Sequence, residues 1–229
     1  RGTTAVNGVS FTVKAGEIVA VAGVAGNGQR ELAEAIVGLR PCTTGSIRVA
    51  GAPLRTGDAR TAFEAGVGYV PEDRLGTGLS PSLPIAMNLE LRSFRQTSFG
   101  PFLRLREMRQ RAGQAIDAFD IRASGPDEVT DHLSGGNLQK VVIAREFSGK
   151  LTVLVAASPT RGLDVAAVET VHRYLIGAAE SGTGVLLLSE DLDEILALND
   201  RVLVMYEGRL TEVENRDSIE EIGLRMAGS

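Results

Sequence analysis

Residues 17–38 constrain the fold more than any other stretch. Residues 17–22, EIVAVA, are a short apolar run rich in Val and Ile, and read as a strand. A glycine-bearing loop follows at 23–28, GVAGNG, and then a helical pattern from Gln29 to Gly38. A buried strand that leads through a tight glycine loop into a helix belongs in an α/β sheet, and glycine is the residue that lets the backbone turn there.

The rest of the chain supplies neighbours for that strand. Residues 5–13 alternate apolar and polar, as a half-buried strand does. Further strands are predicted at 46–50, 67–70, 151–156, 184–189, 201–206 and 209–213, the last two flanking a hairpin turn at Glu207-Gly208. Helices are predicted at 58–65, 165–179, 192–198 and 218–226. The 151–156 run is almost continuously apolar, the pattern of a parallel strand covered on both faces. Strands alternating with helices imply a mainly parallel sheet with right-handed crossovers. Between 81 and 131 the pattern changes to helices at 85–91 and 102–119, the second carrying Leu103, Met108, Ala112, Ile116 and Phe119, with no strand pattern between them. Residues 83–131 therefore read as a helical subdomain inserted into a sheet core made of 1–82 and 132–229.

At 229 residues the chain is long enough for one domain with a satellite subdomain. It holds no apolar run long enough to span a bilayer, which needs about eighteen residues. No charged-then-apolar leader opens it, and its abrupt start at Arg1 reads as a domain taken from a longer polypeptide. The single cysteine, Cys42, has no disulfide partner in the chain and suits a reducing compartment. A net charge of −5 without a basic stripe argues against a nucleic-acid partner. His132 and His172 lack metal-ligand spacing with Cys42 or each other, so they read as surface or packing residues. Asp191, Asp193 and Glu194 read as a helix start, where acids favour the dipole, with a cation site as the alternative.

A second glycine motif stands at Leu133-Ser134-Gly135-Gly136-Asn137-Leu138-Gln139-Lys140. Residues 141–146 read as a helix, so the motif lies at a helix N-terminus. Unpaired N–H groups and the helix dipole there favour an anion. The alternative is an ordinary serine-capped helix start after a turn.

Four stretches in order, GVAGNGQREL from Gly23, LSGGNLQKVVIARE from Leu133, VLVAASPTRGLD from Val153 and LLLSEDLDEI from Leu186, resemble the motifs of the ABC-type ATPases. They match that family's phosphate loop, signature, Walker B strand with D-loop, and switch segment, and cover nearly the whole chain. The resemblance implies an α/β, P-loop NTPase-type fold: a mainly parallel sheet core, an antiparallel β part and an inserted helical subdomain. GNGQ, YVPEDR, LSGGN, SPTRGLDV and SEDLDEI point within the family to the second, C-terminal ATPase domain of sugar and nucleoside importers, closest to the nucleoside branch. That placement implies ATP and Mg²⁺ as cofactors and a position at the cytoplasmic face of the membrane. It implies as partners a second ABC ATPase domain in the same polypeptide, transmembrane permease subunits and, indirectly, an extracytoplasmic solute-binding protein. The resemblance implies that the helical subdomain receives the permease; read from its residues alone it is equally a simple helical lid.

Against the family pattern the chain's own site is degenerate. The nucleotide loop would be Gly23, Val24, Ala25, Gly26, Asn27, Gly28, Gln29 and Arg30, but an active loop reads GxxxxGK[ST]. Gln29 stands where lysine grips phosphate and Arg30 where a hydroxyl binds Mg²⁺. Arg30 either restores part of the charge or is a solvated helix residue. Losing one charge-assisted contact costs about 1.5–3 kcal/mol. Ala157 and Ser158 occupy the Walker B Asp-Glu places, Glu190 the switch histidine and Glu72 the Q-loop glutamine. The resemblance thus leaves no catalytic set intact in cis. Signature residues Leu133, Ser134, Gly135, Gly136 and Asn137 are retained, as are Gly162, Leu163 and Asp164 of the D-loop. In the family each signature reaches the triphosphate on the opposite domain, so this half is expected to donate its signature to a competent partner site. A fully active ATPase half and a structural or regulatory domain that binds no nucleotide remain alternatives. A family member acting on DNA or ribosomes is disfavoured by the acidic balance and the lack of a long coiled-coil insert.

Overall fold

The computed structural model describes residues 4–99, 102–213 and 219–228. In chain order the elements are β1 (Ile18–Ala22), α1 (Gln29–Ile36), β2 (Ile47–Val49), β3 (Ala52–Leu54), α2 (Ala59–Glu64), β4 (Val67–Val70), α3 (Ile85–Glu90), α4 (Phe94–Thr97), β5 (Ser98–Phe99), β6 (Phe102–Leu103) and α5 (Leu105–Ala118). They continue with α6 (Gly135–Glu146), β7 (Val153–Ala157), α7 (Val165–Glu180), β8 (Gly184–Ser189), α8 (Leu192–Leu198), β9 (Arg201–Tyr206), β10 (Arg209–Glu212) and α9 (Ile219–Ala227). A π-helical turn covers Arg74–Gly78. The chain forms two compact units, one of Arg1–Tyr69, Leu151–Pro159 and His172–Ser229, the other of Val70–Lys150 and Thr160–Val171. No helix among the described residues is long and apolar enough to cross a membrane.

The first unit is built on a six-stranded sheet of order β10-β9-β1-β8-β7-β4. β1 runs parallel to both neighbours, with Ile18 opposite Val185 and Val19 opposite Arg201. Every residue of β1 and β8 is buried, because helices cover both faces of a parallel sheet. Val19, Val21, Leu186 and Leu188 meet Leu32 and Ala33 of α1 in the core, and each large side chain buried there contributes about 1.5–3 kcal/mol. β10 returns antiparallel to β9 through Glu207 at φ 45° and Gly208 at φ 76°, a left-handed pair that suits a tight hairpin. Asp58 caps α2 by accepting from the Thr61 amide at 3.1 Å.

Two expectations are corrected and one is extended. Residues 5–13 form no strand: Val6, Val9, Phe11 and Val13 pack on the core, yet the Asn7 amide goes to the Gly208 carbonyl at the hairpin turn and Gly8 turns the chain at φ 64°. Alternation there reports burial, not a ladder. The 46–50 strand is one arm of a β2–β3 hairpin turned by Ala50 and Gly51, both at positive φ; Pro53 in the second arm hides it from a pattern reading. The 102–119 helix starts only at Leu105, because Phe102–Leu103 pair antiparallel with Ser98–Phe99. Leu103 is therefore exposed rather than on the packed helix face, which holds Met108 and Ala112. Of the closing helix, Ser218 lies outside the described residues.

The second unit contains the 83–131 stretch together with the α6 helix. α3 packs on α5 and α6. Asn88, fully buried on α3, ties loops together: its Oδ1 accepts from the Ser80 amide at 2.7 Å, and its Nδ2 donates to the Ser80 and Leu83 carbonyls at 3.0 and 3.1 Å and to Thr130 Oγ1 at 3.2 Å. α6 carries a charged pair inside the unit. Arg145 Nε donates to Glu146 Oε1 at 2.8 Å, its other arm reaches the Gly78 carbonyl, and Arg92 meets the second Glu146 oxygen. Burial lowers the pKa of both arginines, so the pairing offsets a desolvation cost.

Candidate nucleotide loop and signature turn

In the first unit the loop between β1 and α1 is held from the hairpin turn and from the N-terminal stretch. Asn27 Oδ1 accepts from the Glu207 amide at 3.1 Å and the Asn27 carbonyl accepts from the Gly208 amide at 3.0 Å. Gly28 sits at φ 105°, and a Cβ on it would lie 2.2 Å from the Ala5 carbonyl oxygen, so no other residue fits there. Val24, Ala25 and Gly26 form the exposed crest.

The side chain at the phosphate-gripping position turns inward. Gln29 Nε2 donates to the Val21 carbonyl at 2.9 Å and to the Ser189 carbonyl at 3.2 Å, bonding the ends of β1 and β8. A Cβ on Gly23 would lie 3.2 Å from Gln29 Cδ, so the amide fills the floor of the loop. Arg30 points away: its Nε donates to Glu34 Oε1 at 2.8 Å in an exposed i,i+4 pair, the geometry of a solvated helix residue. That pairing with Glu34 holds the Arg30 pKa above its ordinary value.

The Walker B place ends β7 without a carboxylate. Ala157 closes the strand and Ser158 turns the chain at φ 42°, its amide bonded to the Leu188 carbonyl at 2.7 Å. In the switch segment Glu190 is exposed. The buried carboxylate beyond it is occupied: Ser189 Oγ donates to Glu194 Oε2 at 2.6 Å, and His172 Nε2 lies 3.6 Å from the other oxygen. Asp191 caps α8, accepting from the Asp193 amide at 2.9 Å. His172 is thus in a packed setting, and among the described residues no group of three or more His, Cys, Asp or Glu is placed to hold a metal. The loop floor thus holds the Gln29 amide, and no carboxylate stands at 157 or 158.

In the second unit α6 begins at Gly135, six residues earlier than its apolar run indicates. Ser134 occupies the cap position, yet its side chain caps nothing. Its exposed Oγ accepts from Asn137 Nδ2 at 2.9 Å, while Asn137 Oδ1 accepts from the Arg122 amide at 2.9 Å. The first-turn amides of α6 thus lack a side-chain cap. A Cβ on Gly136 would come 3.1 Å from Ala167 Cβ near the start of α7, and one on Gly135 would sit 3.8 Å from Leu163 Cδ2 and 3.9 Å from Arg74 Nη1. Asp164 caps α7 by accepting from the Ala167 amide at 2.9 Å, and Gly162 turns the chain at φ 68°. The signature turn and the D-loop are therefore neighbours in one unit, as are Glu72 and Arg161, which form an exposed ion pair.

Two residues escaped the sequence reading. Arg74 Nε donates to Gln139 Oε1 at 2.8 Å and its Nη2 donates to the Arg161 carbonyl. Arg74 lies in the YVPEDR motif, but only Glu72 stood at a family position with a known departure.

The fold and the two glycine motifs are matched in known proteins. The ABC transporter family model matches residues 6–161. The glucose import ATP-binding protein TsgD13 of Haloferax volcanii is 46% identical over 237 residues, covering all of this chain and 42% of that protein. The guanosine import ATP-binding protein NupO of Bacillus subtilis is 44% identical over 235 residues, covering all of this chain and 46% of that protein. The ribose import ATP-binding protein RbsA 1 of Rubrobacter xylanophilus is 41% identical over 225 residues, covering 96% of this chain and 45% of that protein. The chain thus spans less than half the length of these relatives. Among solved structures, a nucleotide-free ATP-binding cassette from an ABC transporter superposes with TM-score 0.79 at 18% identity over 98% of this chain and 90% of that one. The dimeric cassette MJ0796 in a post-hydrolysis state with ADP and Pi does so with TM-score 0.78 at 22% identity, over 94% of this chain and 93% of that one. These structures fix the fold, and the relatives fix the lineage: the chain belongs to the ABC transporter family as an ATP-binding domain whose relatives serve sugar and nucleoside import.

Proposed function

We propose that this chain is the C-terminal ATP-binding domain of a sugar or nucleoside importer, degenerate in its own nucleotide site and acting through its signature turn on the site of a partner ATPase domain. The observation that carries the reading is the contrast between two glycine motifs. At Gly23–Arg30 the gripping side chain, Gln29, is bonded to Val21 and Ser189 and the metal-holding carboxylate is missing. At Ser134–Asn137 the hydroxyl is exposed and the first helical amides carry no side-chain cap. One motif has lost its means of holding a magnesium triphosphate, while the other keeps donors suited to an anion brought from outside. On this reading the partner ATPase domain lies in the same polypeptide, holds most of the ATP and Mg²⁺, and sits with this one against permease subunits at the cytoplasmic face of the membrane, with a solute-binding protein delivering the cargo. The relatives' names, which specify glucose, guanosine and ribose import, support the cargo class.

The test is ATP turnover by the full-length protein assembled with its permease, comparing wild type with Ser134→Arg. Loss of at least tenfold in turnover is expected; unchanged turnover overturns the donor role. A second reading, a scaffold that binds no nucleotide, is favoured by the inward Gln29 alone. Calorimetric titration of the isolated chain tests the second reading, because heat on adding millimolar ADP excludes a pure scaffold.

A further inference from the structure

Arg74 sits at the centre of the second unit's contact between three segments. It opens the π-helical turn that follows β4, where the Asp73 side chain accepts from the Gly76 amide at 2.8 Å and fixes the turn. From there the guanidinium reaches two ways. Nε donates to Oε1 of Gln139, a fully buried residue in the second turn of α6, at 2.8 Å. Nη2 donates to the backbone carbonyl of Arg161 at the entry to the D-loop, and the Arg161 side chain closes back on Glu72, two residues before Arg74. The third arm, Nη1, passes beneath the signature, 3.9 Å from where a Cβ of Gly135 would stand.

We infer that Arg74 is a positioning residue that clasps the signature turn to the D-loop, so that both are presented to the partner domain as one rigid edge. A guanidinium suits the task because its planar fork holds two acceptors at fixed angles, whereas a single ammonium cannot reach both in that geometry. The bare α-carbon of Gly136 belongs to the same arrangement, since it lets Ala167 approach the signature closely. Gln139 adds to it by direction: its Oε1 is spent on Arg74 while its Nε2 is buried without a partner, so the side chain is held in place from one end by the clasp. The functional part of the inference rests on the signature-donor reading; the structural part does not.

The experiment uses the full-length protein assembled with its permease, in wild type, Arg74→Lys, Arg74→Gln and Ser134→Arg, each first checked for a cooperative melt. Amide hydrogen exchange is followed at 138–142, the first bonded amides of α6 behind the signature, and at Leu163, whose amide is bonded to the Thr160 carbonyl, with α1 as internal reference, alongside ATP turnover across ATP concentrations. For both Arg74 variants the clasp predicts exchange at least tenfold faster at both segments together, α1 unchanged, and kcat down at least fivefold with KM for ATP held within twofold. Unchanged exchange at either segment overturns the clasp. Faster exchange with normal turnover, while Ser134→Arg is inactive, overturns the positioning role. Faster exchange while Ser134→Arg turns over normally supports the clasp and removes the donor reading instead.

Discussion

Gln29 Nε2 lies 2.9 Å from the Val21 carbonyl, so the side chain that ends the glycine loop is bonded to the strand the loop leaves. Together with the bond to Ser189 it staples the C-terminal ends of β1 and β8, the two central strands of the sheet. A lysine at this place would put an ammonium where a phosphate binds; this amide spends its donors on protein. On the proposed reading, the staple and the missing carboxylate act in the same direction, each against nucleotide binding.

Replacing the staple by the gripping residue should recover part of the binding. Gln29→Lys is expected to tighten ADP by roughly ten- to a hundredfold, the value of one charge-assisted contact of about 1.5–3 kcal/mol. It should not create turnover, because Ala157 and Ser158 still offer no carboxylate. Titration calorimetry on the isolated chain reads the affinity. Wild-type binding as tight as that of the lysine variant would show that Gln29 is no obstacle.

The two signature glycines should separate by stability. A methyl at Gly136 meets Ala167 Cβ at 3.1 Å, so Gly136→Ala must shift the start of α7 and is expected to cost about 1–3 kcal/mol. At Gly135 the nearest atoms are 3.8 and 3.9 Å away, ordinary contact, and alanine improves helix propensity by up to about 1 kcal/mol. Thermal melts of the two variants should therefore move in opposite directions or differ clearly. Equal melts would mean that Ala167 relaxes freely.

Asn88 should be intolerant of both removal and ionisation. Asn88→Ala leaves the Ser80 amide and neighbouring carbonyls short of partners inside the second unit, at about 1–3 kcal/mol for each group left unsatisfied. Asn88→Asp keeps the Ser80 amide bond but aims an oxygen at the Ser80 and Leu83 carbonyls, so at neutral pH it should destabilise at least as much as alanine. Urea unfolding of the two variants checks the order; an Asp variant as stable as wild type would contradict it.

The parallel strands were legible because a strand covered on both faces can only be apolar. The predicted bounds of β4, β8, α8 and β9 coincide with those in the structure. What escaped had no periodic trace or a misleading one. β3 carries Pro53, β5 and β6 are two residues each, and residues 5–13 alternate for packing while the Asn7 amide goes to the hairpin turn. The site divides in the same way. Glycines announce themselves, since a position such as Gly28, facing the Ala5 carbonyl, admits nothing else. The direction of Gln29 and the partners of Arg74 do not, because those acceptors are backbone carbonyls or side chains as far as 160 residues away along the chain. Local pattern holds no record of them.

Acid should find the ion pair beneath the sheet edge. Glu17 accepts from the Lys14 amide at 2.7 Å and from Arg201 Nη1 at 3.0 Å, while Arg201 also holds Glu212 at 2.9 Å. Burial raises the Glu17 pKa, but the Lys14 amide bond and the hydrogen bond and charge of Arg201 outweigh it, so the carboxyl titrates below its ordinary value. A folded-state pKa below the unfolded one means that the pair stabilises the protein above the unfolded value, about 4.5, and that this contribution fades as pH falls through the folded value. Glu17→Gln keeps a similar shape without the charge. The variant should therefore melt below wild type near pH 7 and the gap should shrink progressively on acidification below about pH 4.5, where the wild-type carboxyl takes up its proton. Melting curves of the two proteins across that range decide it. A gap that stays constant or widens toward acid would mean that Glu17 contributes through packing and amide geometry alone, with the Arg201 charge playing no part.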